Sequence, residues 1–586
     1  MSQSSIEIIS PGIKVDGADL AANHLDNLIS LRVDLGMGIA GRTVLRFRDV
    51  GYPMSTSGPF KMGAAVVVKA GSAELITAEV TGVALEHSHA MQPELVVTAD
   101  DKACRLDGAT QNRTFLNQSY GDIVGTMAGE ATLSAAYTGP TTVHPYLLQT
   151  GSNLAYLNAI CERAGLVWWV EDGTKLKVVK AGTAGAEVPL KLDGIGLESF
   201  TVRATNTGPN KVTVRGWDAA KQAALVGVHS TLKTSESDFV GSAAGRKASA
   251  RGSTALALAA PAPFDAGEAE EMAAAKFAVA AAGAVVARGS GEVNPRLKIG
   301  CVAKVEQAGP SSGSYLVTRV EHHLTRGGFR TTFTAGPVRP RGMVDLLRGP
   351  APDPGTTLSG VFPAVVTNNA DAENPGKIKV KYTAVSDQVE SAWARQLTLG
   401  AGNQRGLLFV PEVNDEVLIA FEHGDSRRPV ILGSLFSDKN KTPTSDDVAN
   451  GAVKFRRITS RLGHVIELAD GDSDPDKHIL LKLADGTKIS VASDKIDVVS
   501  NSKPIKLTNS QATITMTDSG DIKLEGNNIE LSAKMNIKLD AKTKVDIKGA
   551  AGADLAGAMV NVKSDGVGSV EAGGPLTIKG AVVAIN

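Results

Sequence analysis

The segment from Lys503 to the end of the chain contains a short repeated unit, and this repeat limits the possible folds more than any other feature. Each unit reads apolar–charged–apolar and is followed by small or turn-forming residues. The apolar pairs begin, at steps of about eight residues, at positions 505, 514, 522, 529, 537 and 545. Looser pairs follow at Val560/Val562 and Leu576/Ile578. Self-similarity at a fixed period indicates a repeat architecture.

Alternation within each unit places its apolar residues on one face of a strand and the charged residue on the other. Two apolar residues in such a short strand cannot build a core within one chain. The repeat therefore predicts a needle-like rod made of several copies around a common axis, and three copies would form a triangular prism. The predicted inward-facing residues of this needle core are Ile522, Leu524, Ile529, Leu531, Ile537, Leu539, Val545 and Ile547.

The composition is typical of a soluble globular protein, with 42% hydrophobic and 21% charged residues. The chain has 586 residues, which predicts three or more domains. A net charge of −1 gives no general attraction to nucleic acid or anionic membranes. The cysteines, Cys104, Cys161 and Cys301, are too scattered for a disulfide framework or a zinc cluster. We predict no metal and no cofactor.

The first residues lack the basic and apolar regions of a secretory signal. The longest apolar run, residues 277–287, is about half the length of a membrane span. We therefore expect the chain to fold in the cytoplasm, with any later export by another route.

The first 345 residues alternate between β-rich and helical patterns. Residues 5–110 contain short apolar runs bounded by Gly, Pro and Ser, which favour a small β-barrel or sandwich. Next comes a predicted helix that Ser152 can cap and Gly165 can close. Residues 185–345 return to strands around an alanine-rich helix at about 267–285, as in a second copy of the first barrel.

A Pro/Gly-rich linker, residues 348–355, marks a domain boundary. Residues 358–437 carry about five predicted strands, including one at 406–410, and this number suits an OB-type barrel. Residues 454–500 contain further strands that lead into the repeats.

Two adjacent motifs in this β-rich part resemble a known family. They are Pro411-Glu-Val-Asn-Asp415-Glu-Val-Leu-Ile-Ala-Phe421-Glu-His-Gly-Asp425 and Arg428-Pro429-Val-Ile-Leu-Gly433. Both are similar to the needle OB domain of VgrG-type spike proteins and phage baseplate spikes. Asn414 stands where that family usually has glycine. The residues that carry the OB motif are Trp393, Pro411, Asp415, Glu416, Phe421, Gly424, Asp425, Pro429 and Gly433.

Two further segments extend the resemblance over nearly the whole chain. The stretches Arg113-Thr-Phe-Leu-Asn-Gln-Ser-Tyr-Gly-Asp122 and Ala155-Tyr-Leu-Asn-Ala-Ile-Cys-Glu-Arg-Ala-Gly-Leu-Val-Trp-Trp look like the hub domain of phage late control protein D. The closing Gly573-Gly-Pro-Leu-Thr-Ile-Lys-Gly580 looks like the blunt end of VgrG needles. Hub, OB barrel and needle follow one another in the order expected for that family.

The resemblance and the patterns together predict a mainly β chain. It would have two hub β-barrels with a helical insert, an OB-fold barrel and a C-terminal intertwined trimeric β-helix. The predicted segments are 1–115 (hub barrel 1), 116–184 (α/β hub insert), 185–347 (hub barrel 2 with inserted helix), 348–357 (linker), 358–440 (OB fold), 441–502 (needle neck strands) and 503–586 (β-helical needle).

The resemblance implies a homotrimeric spike that joins a hexameric inner tube to a membrane-piercing needle. Each hub would supply two tube-like barrels, so that a trimer presents six. The implied partners are the tube protein, baseplate proteins and a PAAR-like tip protein, with effector cargo left open and no nucleic acid. The tip protein would cover Val582, Val583 and Ile585, because an exposed apolar end is a liability. The assembled particle would be ejected into a target, whose membrane it meets transiently, or into the extracellular space. Phage, type VI secretion and phage-tail-like particles all use this part.

Three motifs could suggest chemistry, and none predicts a catalytic or metal site. Gly309-Pro-Ser311-Ser-Gly313 matches a serine-hydrolase elbow, but strands flank it on both sides, which favours a hairpin loop. Asp470-Gly-Asp472-Ser-Asp474-Pro475-Asp476 begins like a calcium loop but lacks the glycine and the glutamate that such a loop needs, which favours an acidic turn. His322 and His323 are adjacent in a strand and face opposite sides. We therefore do not expect an enzyme.

Two other functions remain open. A trimeric tailspike-like protein that binds or depolymerises polysaccharide would need paired carboxylates and exposed aromatic residues, yet no Trp, Tyr or Phe follows Phe455. An OB barrel that binds nucleic acid would need a basic, aromatic groove. Lys377, Lys379 and Lys381 do line one strand face, for which a solvated charged face is the commoner explanation.

Overall fold

The computed structural model describes residues 9–88, 91–193, 196–204, 209–230, 255–259, 262–282, 285–337, 358–386, 388–471 and 477–585. The chain divides into two compact units, Met1–Lys441 and Thr442–Asn586. The protein is mainly β, as the sequence predicts. The linker predicted at 348–357 lies outside the described residues.

Short strands and two short helices make up the first hundred residues. The strands are β1 (Pro11–Val15), β2 (Ala18–Asp19), β3 (Leu28–Gly36), β4 (Arg42–Arg48), β5 (Ala65–Ala70), β6 (Ala73–Ser88) and β7 (Met91–Asp100), and the helices are α1 (Ala22–Leu25) and α2 (Pro53–Ser57). Their alternating apolar residues form one buried core that includes Leu31, Val33, Leu45 and Phe47.

Residues 110–180, which include most of the segment predicted as the hub insert (116–184), combine two longer helices with two small sheets. Their elements are β8 (Thr110–Ser119), α3 (Tyr120–Glu130), β9 (Ser134–Thr138), β10 (Val143–Ser152), α4 (Asn153–Ala164), β11 (Leu166–Glu171) and β12 (Lys175–Lys180). The helix predicted between Ser152 and Gly165 is confirmed. The Ser152 side chain accepts a hydrogen bond from the Ala155 amide, and Gly165 ends α4 with a φ of +66°. A Cβ at Gly165 would lie 2.6 Å from that of Ala275, so this end also needs glycine for close packing.

Residues 187–335 return to strands around one helix. The elements are β13 (Glu187–Lys191), β14 (Ser199–Ala204), β15 (Lys211–Asp218), β16 (Ala223–His229), β17 (Ala255–Leu258), α5 (Ala266–Ala282), β18 (Val285–Glu292), β19 (Val302–Glu306), β20 (Gly313–Thr325) and β21 (Gly328–Ala335). The predicted alanine-rich helix is thus confirmed as α5. It packs Met272 and Phe277 against Val212 and Val214 of the three-stranded sheet β16–β15–β17.

Strands from both halves of the hub join in one 13-stranded sheet. The junction is the antiparallel pair β3–β20, in which residues 31–36 face residues 319–324. Each half keeps a core of its own, and the second core includes Val188, Val317 and Phe333. The sequence pattern suggests two similar halves but contains no signal for the strand pairing that links them.

The OB domain is built on a five-stranded sheet in the order β23–β22–β27–β28–β24. The strands of this domain are β22 (Val361–Asn368), β23 (Lys379–Lys381), β24 (Arg395–Gln396), β25 (Ala401–Gly402), β26 (Arg405–Gly406), β27 (Glu416–Phe421) and β28 (Pro429–Ser434). The strand predicted at 406–410 is wrong. Only Gly406 belongs to a strand, and Leu407, Leu408 and Phe409 are exposed, because this segment makes no further strand pairing within the sheet.

The second unit consists of antiparallel meanders. Its strands are β29 (Val448–Ala449), β30 (Ala452–Val453), β31 (Phe455–Thr459), β32 (Val465–Asp470), β33 (Lys477–Lys482), β34 (Lys488–Ala492), β35 (Ile496–Val499), β36 (Ile505–Thr508), β37 (Thr513–Met516) and β38 (Ile522–Glu525). Strands β31–β35 form one five-stranded sheet, which we call the neck sheet, and β36–β38 form a second sheet. Between residues 526 and 585 no strand is assigned, so the later repeats do not pair within the chain.

Candidate assembly surface

One face of the neck sheet carries two rows of large apolar side chains. The strand register aligns Ile458, Ile466, Leu481, Ile489 and Val498 in one row across the five strands. A second row on the same face aligns Leu468, Ile479, Val491 and Ile496. All nine side chains are exposed, from 43% at Val491 to 70% at Ile496. A contiguous apolar face of this kind marks an interaction surface.

The opposite face of the neck sheet mixes polar side chains with apolar ones such as Val465, Leu480 and Val499. Its buried polar group, around Glu467, is hydrogen-bonded within the chain. Arg457 donates hydrogen bonds to Glu467 and, at 2.6 Å, to Asp447. The second Glu467 carboxylate oxygen lies 2.9 Å from Nε2 of His478. Glu467 is only 6% exposed. In the single chain Glu467 is thus covered while the two apolar rows meet water, which reverses the usual placement of these residue types.

The repeats continue the exposed apolar surface. In the sheet β36–β38, Leu507, Ile514 and Leu524 lie opposite one another, and none of them is buried. The structure places every predicted needle-core residue on the surface of the single chain. They are Ile522, Leu524, Ile529, Leu531, Ile537, Leu539, Val545 and Ile547, between 45% and 76% exposed. The predicted tip contacts are also exposed, at 86% for Val582, 49% for Val583 and 86% for Ile585.

The predicted OB-motif residues divide by environment. Phe421 is buried between the rings of Phe362 and Tyr382, with centroid distances of 5.8 and 5.6 Å. The buried members are Pro411, Phe421, Asp425 and Pro429, the half-buried members are Trp393, Asp415, Glu416 and Gly424, and Gly433 is exposed. The motif therefore contains both core and surface residues.

One lysine of the proposed nucleic-acid groove is already engaged within the OB domain. The Lys379 ammonium group lies 5.3 Å from the centroid of the Trp393 ring and 3.1 Å from the Glu390 carboxylate. The arrangement gives no specific support to nucleic-acid binding by this strand face.

The backbone conformation of Asn414 explains why the family that this segment resembles usually has glycine here. Its φ is +77°, in the left-handed region, at the turn before β27. Asparagine tolerates this region better than other residues that carry a Cβ, and glycine adopts it freely.

We expect Asn414→Ala to lower the free energy of unfolding by about 1 kcal/mol, because alanine is strained at this φ. Asn414→Gly should leave the free energy of unfolding unchanged or raise it. Urea unfolding of both variants beside the parent chain measures the difference. Equal stabilities of the alanine and glycine variants would contradict the backbone explanation.

Asp425 belongs to a group of buried charged residues that the sequence does not reveal. Together with Arg163 of α4, Glu268 of α5 and Arg427 it forms a buried charge cluster, in which each side chain is at most 13% exposed. The Arg427 Nη2 atom lies 3.1 Å from Glu268 Oε2 and 2.8 Å from Asp425 Oδ2. Arg163 Nε lies 2.5 Å from Glu268 Oε1. The cluster joins the OB domain to two hub helices.

The charge cluster stays ionised despite its burial. Burial works against the charge on Glu268, but Arg427 and Arg163 outweigh it and hold the pKa of this carboxyl well below its usual value. Asp425 shows the same balance between burial and Arg427, and its pKa is lowered as well. Because two positive and two negative groups meet, the cluster has no net charge.

Residues near the charge cluster extend the contact between hub and OB domain. Tyr146 and Leu148 of β10 belong to the OB core. Arg428 donates hydrogen bonds to the carbonyl oxygens of Trp217, at 2.7 Å, and Pro263, at 2.6 Å. The hub and the OB domain therefore share both apolar and polar contacts.

The three motifs that could suggest a catalytic or metal site lie in a turn, in a strand and in an ion pair. Gly309–Ser311 form a 3-10 turn between β19 and β20, which confirms the hairpin loop. His322 is buried, its Nδ1 lies 2.8 Å from Thr331 Oγ1, and burial lowers its pKa to about 4. His323 is half-buried on the other face of the strand. Of the calcium-like segment, Asp470 pairs with Arg456, while 472–476 lie outside the described residues.

The described residues offer neither a metal site nor a membrane helix. In that part of the chain no three His, Cys, Asp or Glu side chains are grouped so that they could hold a metal ion. Nor is any described helix long and apolar enough to cross a lipid bilayer.

Two family models match the chain, and both matches follow the architecture above. Residues 60–328 match the phage tail baseplate hub (GPD). Residues 362–436 match the type VI secretion system/phage-baseplate injector OB domain. The first match covers most of the hub with its insert, and the second covers the OB sheet.

Curated relatives are matched over a limited part of their length. The type VI secretion system spike protein VgrG5 of Pseudomonas aeruginosa is 29% identical over 126 residues, which are 20% of this chain and 15% of that protein. The spike protein VgrG3 of Vibrio cholerae is 26% identical over 141 residues, which are 23% of this chain and 14% of that protein. The alignments thus span about one seventh of these relatives.

Solved structures show similarity over longer stretches. An E. coli protein described as a component of the type VI secretion system is 16% identical, with a TM-score of 0.47 over 72% of this chain and 99% of that one. One chain of the PdpA–VgrG complex of Francisella is 10% identical in sequence to this chain, with a TM-score of 0.47 over 89% of this chain and 80% of that one.

Proposed function

We propose that this chain is the central spike of a contractile injection system and works as a homotrimer. The chain is a homologue of the type VI secretion spike proteins, and it joins a phage baseplate hub region to an injector OB domain. The observation that carries the proposal is the apolar face of the neck sheet. In a monomer its nine large apolar side chains would meet water, which soluble proteins avoid. Three copies packed around an axis would cover them.

The repeats extend the same packing in this proposal. Their strand fragments would pair between copies instead of within one chain, and the inward apolar residues would form a continuous seam. Backbone hydrogen bonds between copies would leave no free lateral edge. A β-helical needle of this kind would transmit axial force when a sheath contracts, so we assign the chain a mechanical function, not a catalytic one.

The ends of the spike would bind different partners. Two β-rich hub segments per chain give six in a trimer, a number that suits a hexameric inner tube. At the other end, the exposed Val582, Val583 and Ile585 would be covered by a tip protein of the PAAR type. Baseplate proteins would surround the hub, and the needle would meet a target membrane only during ejection.

The mass of the chain in solution tests the proposal directly. Light scattering after size-exclusion chromatography should give three times the 60.7 kDa of one chain, about 182 kDa. The mass should stay constant on dilution, because apolar burial at the neck and along the repeats favours the assembly. A stable species of 60.7 kDa would refute both the trimer and the spike function.

A further inference from the structure

A small cavity of about 20 Å³ lies between the hub insert and the OB domain, beside the charge cluster. Its polar lining consists of Tyr120 from α3, Tyr156 and Arg163 from α4, and Asp425, Ser426 and Arg427 from the OB domain. Both tyrosines are buried, with exposures of 4% and 0%. The cavity is therefore lined by buried side chains of this interface.

The two tyrosine hydroxyls make no hydrogen bond with any described residue. A buried hydroxyl without a partner is costly, and such groups in folded proteins are usually satisfied by protein or by ordered water. Burial raises the pKa of Tyr120 to about 12 and also raises that of Tyr156. Both hydroxyls therefore keep their protons at neutral pH and can each donate and accept one hydrogen bond.

The volume of the cavity and the charge of its lining determine which ligand can bind there. A water molecule needs a cavity of roughly 10–15 Å³ and between two and four polar partners, and this cavity, at about 20 Å³, meets both conditions. It is too small for a phosphate or a sulfate. The charge cluster is neutral as a whole, so it does not require a counterion.

We propose that this cavity is a hydration site, in which one ordered water molecule bridges the hydroxyls of Tyr120 and Tyr156 and links them to the charge cluster. The water completes a polar network between α3, α4 and the OB domain. Because hydrogen bonds are directional, this network fixes one orientation of the OB domain on the insert. The inference stands on contacts within one chain and does not depend on the proposed spike function.

A tyrosine-to-phenylalanine exchange tests the site through the sign of its effect. If water bridges the hydroxyls, Tyr156→Phe removes a hydrogen bond, and the melting temperature of the full chain should fall by about 1 °C. If the hydroxyl has no partner, the variant loses an unsatisfied group, and its melting temperature should stay the same or rise. A fall supports the hydration site; an unchanged or higher value overturns it.

Tyr315→Phe is the matched control, because the buried Tyr315 hydroxyl donates to the Ser311 carbonyl oxygen at 2.6 Å. Its fall in melting temperature calibrates the loss of one buried hydroxyl bond. A crystal structure of the full chain at a resolution that reveals ordered water provides a second test, independent of folding. Electron density for a water between the two hydroxyls supports the proposal, and a cavity without density overturns it.

Discussion

Leu481→Asp is expected to dissociate the proposed trimer into single chains. Leu481 lies in the middle of the longer apolar row of the neck sheet and is 48% exposed in one chain. In a trimer the substitution would bring three carboxylates into an apolar interior. Burial of an unpaired carboxylate costs several kcal/mol per copy, so the total is on the order of 10 kcal/mol. Light scattering should then give 60.7 kDa.

Lys482→Glu provides the control for this substitution. Lys482 is the next residue of the same strand, so its side chain lies on the opposite face of the neck sheet. A negative charge there stays in water, and the trimer mass should be unchanged. If Leu481→Asp remains a trimer, the apolar face of the neck sheet is not the surface that holds the copies together.

Arg427→Met is expected to lower the free energy of unfolding by about 3–5 kcal/mol at pH 7, because it leaves buried carboxylates with too little positive charge. Glu268 and Asp425 both lose their main partner, and only Arg163 remains between them. Methionine replaces most of the lost volume, so the effect reports the charge and not a cavity. Urea unfolding of the variant and the parent chain measures it.

The pH dependence of this loss separates charge from packing. In the parent chain, the lowered pKa values of Glu268 and Asp425 contribute stability above the ordinary carboxyl pKa, and this is lost as pH falls through the lowered values. Without Arg427, burial dominates and raises the folded pKa of both carboxyls. The variant therefore gains stability as it binds protons, and its deficit should be smaller at pH 5 than at pH 7.

Lys298→Ala is the matched control for an exposed ion pair. Lys298 and Asp172 lie 2.8 Å apart, and their side chains are 56% and 61% exposed. Solvent screens this pair, so the loss should stay within about 1 kcal/mol. A deficit of Arg427→Met that is equally small, or that does not change between pH 5 and pH 7, would contradict the account of the charge cluster.

The sequence predicts those elements that are determined by neighbouring residues, such as helix ends and turns. Ser152 and Gly165 lie at the two ends of α4 because a hydroxyl and a glycine satisfy the backbone at those positions whatever the rest of the chain does. The same holds for the turn at Gly309–Ser311. The alternation around Ile522 and Leu524 likewise predicts which residues share a face.

Features that depend on distant partners could not be predicted in this way. Glu268 and Asp425 meet Arg163 across 105 and 262 residues of chain, and nothing near any of the three marks it as buried. The apolar run Leu407–Phe409 has the composition of a strand but makes no pairing within the OB sheet, because strand formation depends on a partner edge as well as on propensity.

The pairing of β3 with β20 has a consequence for synthesis of the chain. Residues 31–36 leave the ribosome long before residues 319–324, which complete one edge of their strand. At a synthesis rate of roughly 5–20 residues per second, that edge stays unpaired for some tens of seconds. During this time the strand can pair with any extended segment nearby, including β3 of a neighbouring nascent chain. The hub is therefore exposed to misassembly while it is being translated. Slow translation would lengthen the exposure, and crowded polysomes would bring more unpaired edges together.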